Sequence, residues 1–216
     1  MTTFPITDQN RVRVKSKRGT YEREVIYPIV DEALICHVGL VFDNQPFVIP
    51  TIHARIDDTI YLHGSPGSRM KKAAEAGAPF CITCTLVDGI VFARSVFNHS
   101  MNYRSAVLFG KGRIVADADE SYKAQVAITD HIAKGRWDDA RVPNEKEIAK
   151  TLFIAIDVEA ASAKVRTGPP GDDEEDLALP YWAGVLPLAV TPAAPINDPA
   201  LREGIALPEY VKKFKR

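Results

Sequence analysis

The residues of this chain best placed to do chemistry lie at positions 60–72, in the run IYLHGSPGSRMKK. A strand-like segment enters a Gly/Ser turn and leaves it as a helix that opens on cationic residues. In that arrangement Ser65 is expected to cap the helix and Pro66 to supply its first position. Unpaired backbone N–H groups and the positive end of the helix dipole then converge on one spot. Ser68, Arg69, Lys71 and Lys72 add hydroxyl and charge-assisted donors, although a helix advances about 100° per residue and cannot aim all four there. A phosphate monoester fits such a cradle. A capped surface helix with solvated Lys and Arg explains the same local run equally well, so the decision falls to the rest of the chain.

Other polar groups recur at strand spacing. Along 46–56, alternation puts Phe47, Ile49, Thr51, His53 and Arg55 on one face, with Thr51 and His53 as polar breaks in an apolar run. Tyr61 and His63 share a face of the next strand, and His63 points toward the approach to the 64–68 turn. His37, His53 and His99 read first as strand residues without a chemical role; for His63, beside the cradle, the two readings balance. Asn102, Tyr103, Arg104 and Ser105 open a further strand with four polar groups in a row, and Lys164, Arg166 and Thr167 close the last one. Cationic clusters at strand ends suit a ligand with a phosphate and a polar ring system, and suit surface charge equally well. No Ser-His-Asp, HExxH or paired-carboxylate motif is visible, so hydrolysis has no machinery here and a cofactor must carry any reaction.

The elements that must position these groups are short and mostly extended. With 216 residues, 46% hydrophobic and 25% charged, the chain can bury one good-sized core, and its net charge of −1 creates no field that calls for nucleic acid or an anionic membrane. No apolar run approaches the roughly 20 residues of a membrane span, and the N-terminus has no apolar segment behind a basic start. A cytoplasmic protein is expected, with no nucleic-acid or membrane partner. Cys36, Cys81 and Cys84 cannot build a disulfide framework. Cys81 and Cys84 have redox or zinc spacing, but residues three apart on a strand face opposite ways, so both read as buried thiols.

Residues 1–20 form a basic arm in which Arg11, Arg13, Lys15, Lys17 and Arg18 are expected to be solvated. Residues 21–33 have helical spacing, with Thr20 as cap and Pro28 as a kink or first-turn residue. Runs 34–43 and 46–56 read as a hairpin linked at Asn44-Gln45, and a turn at Asp57-Asp58 leads into the strand that feeds the cradle. A helix over 66–76 ends at Gly77. Strands follow at 79–88 and 90–98, turning at Asp88-Gly89, and then at 103–117. A helix over 119–134 presents Tyr122, Val126, Thr129 and Ile132 on one side. Asn144 and Glu147 start a short helix, 151–167 returns to strand, and an acidic loop at 168–176 precedes a Pro-rich tail. Six strands in close succession predict a mainly β protein built as an antiparallel barrel or sandwich with peripheral helices, and exclude a doubly wound dinucleotide fold. The domain is expected over 21–190, with 191–216 as an extension.

Taken together, DEALICHVGLVFDNQPFVIPT (31–51), YLHGSPGSRM (61–70), SMNYRSAVLFGKG (100–112) and ASAKVRTGPPGDDEEDLALPYWAGVLPL (161–188) resemble the pyridoxamine 5′-phosphate oxidase-related split-barrel flavoproteins. The likeness is to their branch of flavin-nucleotide-binding proteins related to nitroimidazole-resistance reductases. The resemblance implies a six-stranded antiparallel split barrel and a homodimer with FMN between subunits. It places His63, Gly64, Ser65, Ser68 and Arg69 around the phosphate, with Thr51 on the adjoining strand. It also gives Tyr103, Arg104, Ser105, Lys164, Arg166 and Trp182 as further flavin contacts. The Arg-x-x-Leu-Leu-Lys phosphate motif and the C-terminal Arg motif of the true oxidases are absent, which argues against vitamin B6 oxidation. Three functions follow as expectations: an FMN oxidoreductase, first; a haem-handling protein on the same barrel; and a flavin-binding module without turnover.

Overall fold

The computed structural model describes residues 3–215. Its main elements, in chain order, are β1 (Gly19–Thr20), α1 (Arg23–Glu32), β2 (Cys36–Phe42), β3 (Gln45–Thr51), β4 (His53–Ile56), β5 (Thr59–Gly64) and α2 (Arg69–Glu75). There follow β6 (Pro79–Phe92), β7 (Ser100–Ile114), α3 (Ala118–Ile132), α4 (Glu145–Ile148), β8 (Leu152–Arg166), β9 (Gly184–Pro187) and α5 (Glu209–Lys212). All strand pairings are antiparallel, in the order β3-β2-β6-β7-β8-β5-β4, with β1 on β8 and β9 on β6. The fold is the expected mainly β split barrel, with nine strands among the described residues rather than six. Among the described residues, no helix is long and apolar enough to cross a membrane.

Closure of the barrel is written into 45–56. The sequence reads this stretch as one strand, but it breaks at Ile52: β3 pairs with β2 at one end of the strand order, and β4 pairs with β5 at the other. One residue therefore ties the two ends of the sheet together, and the sheet must curl. The alternation stays in phase across the break, with Val48 exposed and Ile49 half-buried on β3, and His53 fully buried on β4. The β2–β3 turn is Asp43-Asn44, one residue before the expected link. Both residues have left-handed φ, 50° and 57°, the geometry of a two-residue hairpin turn whose twist matches the strands.

Strand β6 runs through Asp88-Gly89 instead of turning there. A bulge between Val87 and Gly89 absorbs the irregularity, and the connection to β7 lies at 93–99. On β7, Gly110 occupies a second bulge, where a Cβ would come within 2.1 Å of the Asp157 carbonyl oxygen; only glycine lets β8 approach so closely.

The core lies inside the curl, where Val38, Ile60, Leu62, Phe80, Ile82, Leu108, Ile154 and Ile156 pack with Ile26, Ile29 and Val30 of α1. A smaller cluster of Ala54, Tyr61, Phe153 and Ala155 is covered by Ala124 and Ile128 of α3. The buried side of α3 is thus Ala124 and Ile128, while Tyr122 and Ile132 of the expected face are 57% and 41% exposed. The contact with the sheet thus centres on Ala124 and Ile128, a narrower stripe than the apolar spacing of the helix suggests.

The first helix begins at Arg23, and the Thr20 hydroxyl accepts from Glu22 N instead of capping it; Pro28 sits inside the helix. The C-terminal carbonyls of α1 are met by imidazoles: His53 Nε2 lies 2.9 Å from Val30 O and His131 Nε2 lies 2.8 Å from Ala33 O. The N-terminal arm is more than a solvated lead-in. Phe4 is in the core, and the Asn10 amide donates to Ala161 O at 2.9 Å, while Arg11, Arg13, Lys15 and Lys17 remain exposed.

Candidate cofactor site

Strand β5 delivers His63 and Gly64, paired with Phe153 and Leu152 of β8, to the turn. The helix starts later than the sequence predicts, at Arg69. Its cap is Ser68, whose Oγ accepts from Lys71 N at 3.2 Å; Ser65 instead offers its carbonyl to Ser68 N at 3.0 Å. The turn therefore closes tightly over Gly64, where a Cβ would sit 3.2 Å from Ser68 Oγ. Pro66 lies in the exposed turn, so the three residues 65–67 form a lip ahead of the helix.

The candidate donors sort by what already engages them. Lys71 pairs with Glu75 at 2.5 Å, and Lys72 stands over the Phe42 ring. Arg69 stands over the Phe47 ring, 4.5 Å from its centroid, and meets no carboxylate among the described residues. The Ser68 hydroxyl accepts as a cap but keeps its own proton to donate. His63 is half-buried, and its Nδ1 is buried with no partner among the described residues, which is costly unless a ligand group meets the ring. Thr51 ends β3 beside Cys36, its hydroxyl donating to Ile52 O at 3.3 Å. Phe47 is the residue sequence reasoning passed over; it sits in phase with Thr51 on an alternating strand, and that phase was the available signal.

The remaining candidates lie elsewhere. Tyr103 pairs with Arg166 and Ser105 with Lys164, near the far end of β8 from His63 and Phe153. At roughly 3.3 Å per residue the two groups are roughly 40 Å apart along the strand. Arg104 is held by both Glu32 and Asp88, through contacts of 2.5–3.0 Å, and these two carboxylates raise its pKa well above the ordinary guanidinium value. It clamps α1 to the β6–β7 pair, and its donors are committed. The Ser105 hydroxyl donates to Lys164 O, and Trp182 is 70% exposed with its ring tilted on Phe92.

Arg166 differs from Arg23, Arg55, Arg94, Arg104 and Arg113, each of which has a carboxylate partner. It is 8% exposed, and among the described residues it donates only to neutral acceptors, the Asn102 side chain and the Gly168 and Pro169 carbonyls, and its Nε has no partner. Burial lowers its pKa, assisted by Arg18.

Three histidines have an imidazole nitrogen against a backbone carbonyl: His53, His99 and His131. His37 lies exposed on the outer face of β2, opposite Pro50 and Thr83. Cys36 and Cys84 are buried in the core as expected, whereas Cys81, on the other face as strand alternation requires, is half-buried rather than buried. Among the described residues no group of three or more His, Cys, Asp or Glu is arranged to hold a metal ion.

A family model described as pyridoxamine 5′-phosphate oxidase matches residues 22–165. The chain belongs to that family. The matched span runs from α1 to the penultimate residue of β8 and includes both groups of site candidates except Arg166 and Trp182. No curated protein sequence matches significantly. Among solved structures, flavocytochrome Anf3 from Azotobacter vinelandii is 36% identical with a TM-score of 0.90, and the match covers 97% of each chain. The FAD and heme binding protein from Mycobacterium smegmatis is 35% identical with a TM-score of 0.85, over 91% of this chain and 96% of that one. A proposed 5-nitroimidazole antibiotic resistance protein from Bacteroides thetaiotaomicron shares the fold, at 24% identity and a TM-score of 0.58, over 68% of this chain and 86% of that one.

Proposed function

We propose that this chain is a flavin-nucleotide protein that also carries haem, acting as a cytoplasmic homodimeric oxidoreductase. The observation that carries the reading is the cradle after β5. There Arg69 and the Ser68 hydroxyl remain available to an oxyanion, and His63 Nδ1 lacks a partner among the described residues. This cradle stands in a chain that aligns almost end to end with a flavocytochrome and with a FAD and heme binding protein. When bound, flavin supplies two-electron and one-electron transfer and haem one-electron transfer. Arg69 and Ser68 would hold the flavin phosphate, Gly64 would let it approach the backbone, and His63 would orient the adjoining group. FMN is the form implied by the sequence resemblance, and FAD is the form named for the 35% relative.

Two observations support a dimer. The two groups of candidate flavin residues stand near opposite ends of β8, so one flavin reaches both only if a second copy supplies one group. The outer face of the sheet also exposes the neighbouring Val41 and Val48, at 59% and 69%, an apolar spot available to a two-fold partner. For haem, His37, which is exposed, and His63, whose Nδ1 is buried without a partner among the described residues, are the candidate axial ligands.

The test is to purify the protein without added cofactor, separate acid-released FMN from FAD by chromatography, and assay haem as the pyridine complex. Near-stoichiometric flavin with haem supports the reading and identifies the nucleotide. A protein that neither retains nor rebinds flavin overturns it. Flavin without haem, even after haem titration, removes the haem part alone. Replacing His37 or His63 by Ala should shift the haem absorption band if that residue is the ligand.

A further inference from the structure

A second concavity, of about 460 Å³, lies where the C-terminal ends of α1 and α3 meet the last described residues. Its volume is in the range of sites for small ligands. Three lysines are among the residues that line it, Lys134, Lys213 and Lys215. Lys134 and Lys215 form no ion pair among the described residues. Lys213 is 3.5 Å from Glu209, which Lys212 holds more closely at 2.6 Å.

The two carboxylates in the lining are already engaged. Asp31 takes both arms of Arg55, at 2.9 and 2.5 Å, and Asp130 Oδ1 accepts from Gly135 N and Trp137 N. Three lysines against two carboxylates, of which Asp31 is already neutralised by Arg55, leave the cleft cationic on balance. Its apolar surface comes from Phe214, Ile132 and the Tyr210 ring. That wall is fixed in place: the Tyr210 hydroxyl donates to Asp139 Oδ2 and accepts from Arg136, both at 3.1 Å, and its ring lies against Gly135.

We infer that this cleft binds a small phosphorylated ligand with a planar ring, of the mononucleotide class, its phosphate on the lysines and its ring against Phe214 and Tyr210. Ammonium groups without carboxylate partners favour a multiply charged oxyanion, and a ring stacked on aromatic faces adds affinity that inorganic phosphate lacks. The site is separate from the β5 cradle and does not depend on the flavin and haem reading.

The test is calorimetric titration of the full-length, cofactor-loaded protein with phenyl phosphate, alongside inorganic phosphate and benzyl alcohol. Phenyl phosphate should bind saturably and more tightly than either fragment, and added salt should weaken it. Lys134→Ala combined with Lys215→Ala should lower its affinity about ten-fold or more with an unchanged thermal midpoint, while Arg69→Ala should leave it unaltered. Absence of saturable binding overturns the inference. So does binding that survives the double lysine substitution, or binding that Arg69→Ala abolishes, which assigns it to the cradle.

Discussion

Replacing Arg69 by Ala isolates the cradle's chemistry from its architecture. The side chain is exposed and its contact is the Phe47 face at 4.5 Å. Removing it should cost the fold no more than about 0.5–1 kcal/mol, the range of an exposed cation–π contact. A charge-assisted bond from a guanidinium to a bound phosphate is worth about 1.5–3 kcal/mol, so flavin affinity should fall by roughly 10- to 100-fold. Ser68→Ala provides the contrast. It removes the cap on Lys71 N, at about 0.5–2 kcal/mol of stability, and should lower the thermal midpoint as well as affinity. The assay is flavin titration by fluorescence quenching on cofactor-stripped protein, paired with thermal unfolding. Arg69→Ala with unchanged flavin affinity would refute the assignment of the phosphate to this turn, whatever the stability data show.

Two further outcomes are expected. Asp58 and Glu120 have depressed carboxyl pKa values in the fold, Asp58 chiefly through the Tyr27 hydroxyl and then Arg23, Glu120 chiefly through Arg113 and then Tyr61. The unfolded chain therefore takes up protons first. The stabilisation is present above the ordinary carboxylate pKa of about 4 and is lost as pH falls through the folded values. Thermal midpoints should drop on acidification below that range, and Asp58→Asn with Glu120→Gln should flatten the slope; an equal slope in the variant refutes the attribution. Burial pushes the Cys36 thiol up to about 12 and raises Cys84 further, whereas Cys81 is half-buried. Alkylation of the native protein near pH 8, followed by mass spectrometry, should leave Cys36 and Cys84 unmodified. Labelling of either ahead of Cys81 counts against this core packing.

What could be read from the sequence was what depends on neighbours along the chain. Strand alternation placed Cys81 and Cys84 on opposite faces, β-branched runs and turn residues gave a mainly β barrel, Asn144 and Glu147 gave the capping box of α4, and HGSPGSRM gave the turn that holds His63 and Arg69. These signals are short-range steric and hydrogen-bonding preferences, so they survive without knowledge of the fold. Tertiary structure decided what depends on partners distant in sequence. Pairing with β2 on one side and β5 on the other split 45–56 at Ile52. Continuous pairing with β7 carried β6 through Asp88-Gly89, which reads locally as a turn. Glu32 and Asp88 claimed Arg104, while among the described residues no carboxylate came to Arg69 or Arg166. A cationic side chain advertises its charge in the sequence, but only the fold determines which carboxylates come within reach, and so which cations remain for a ligand.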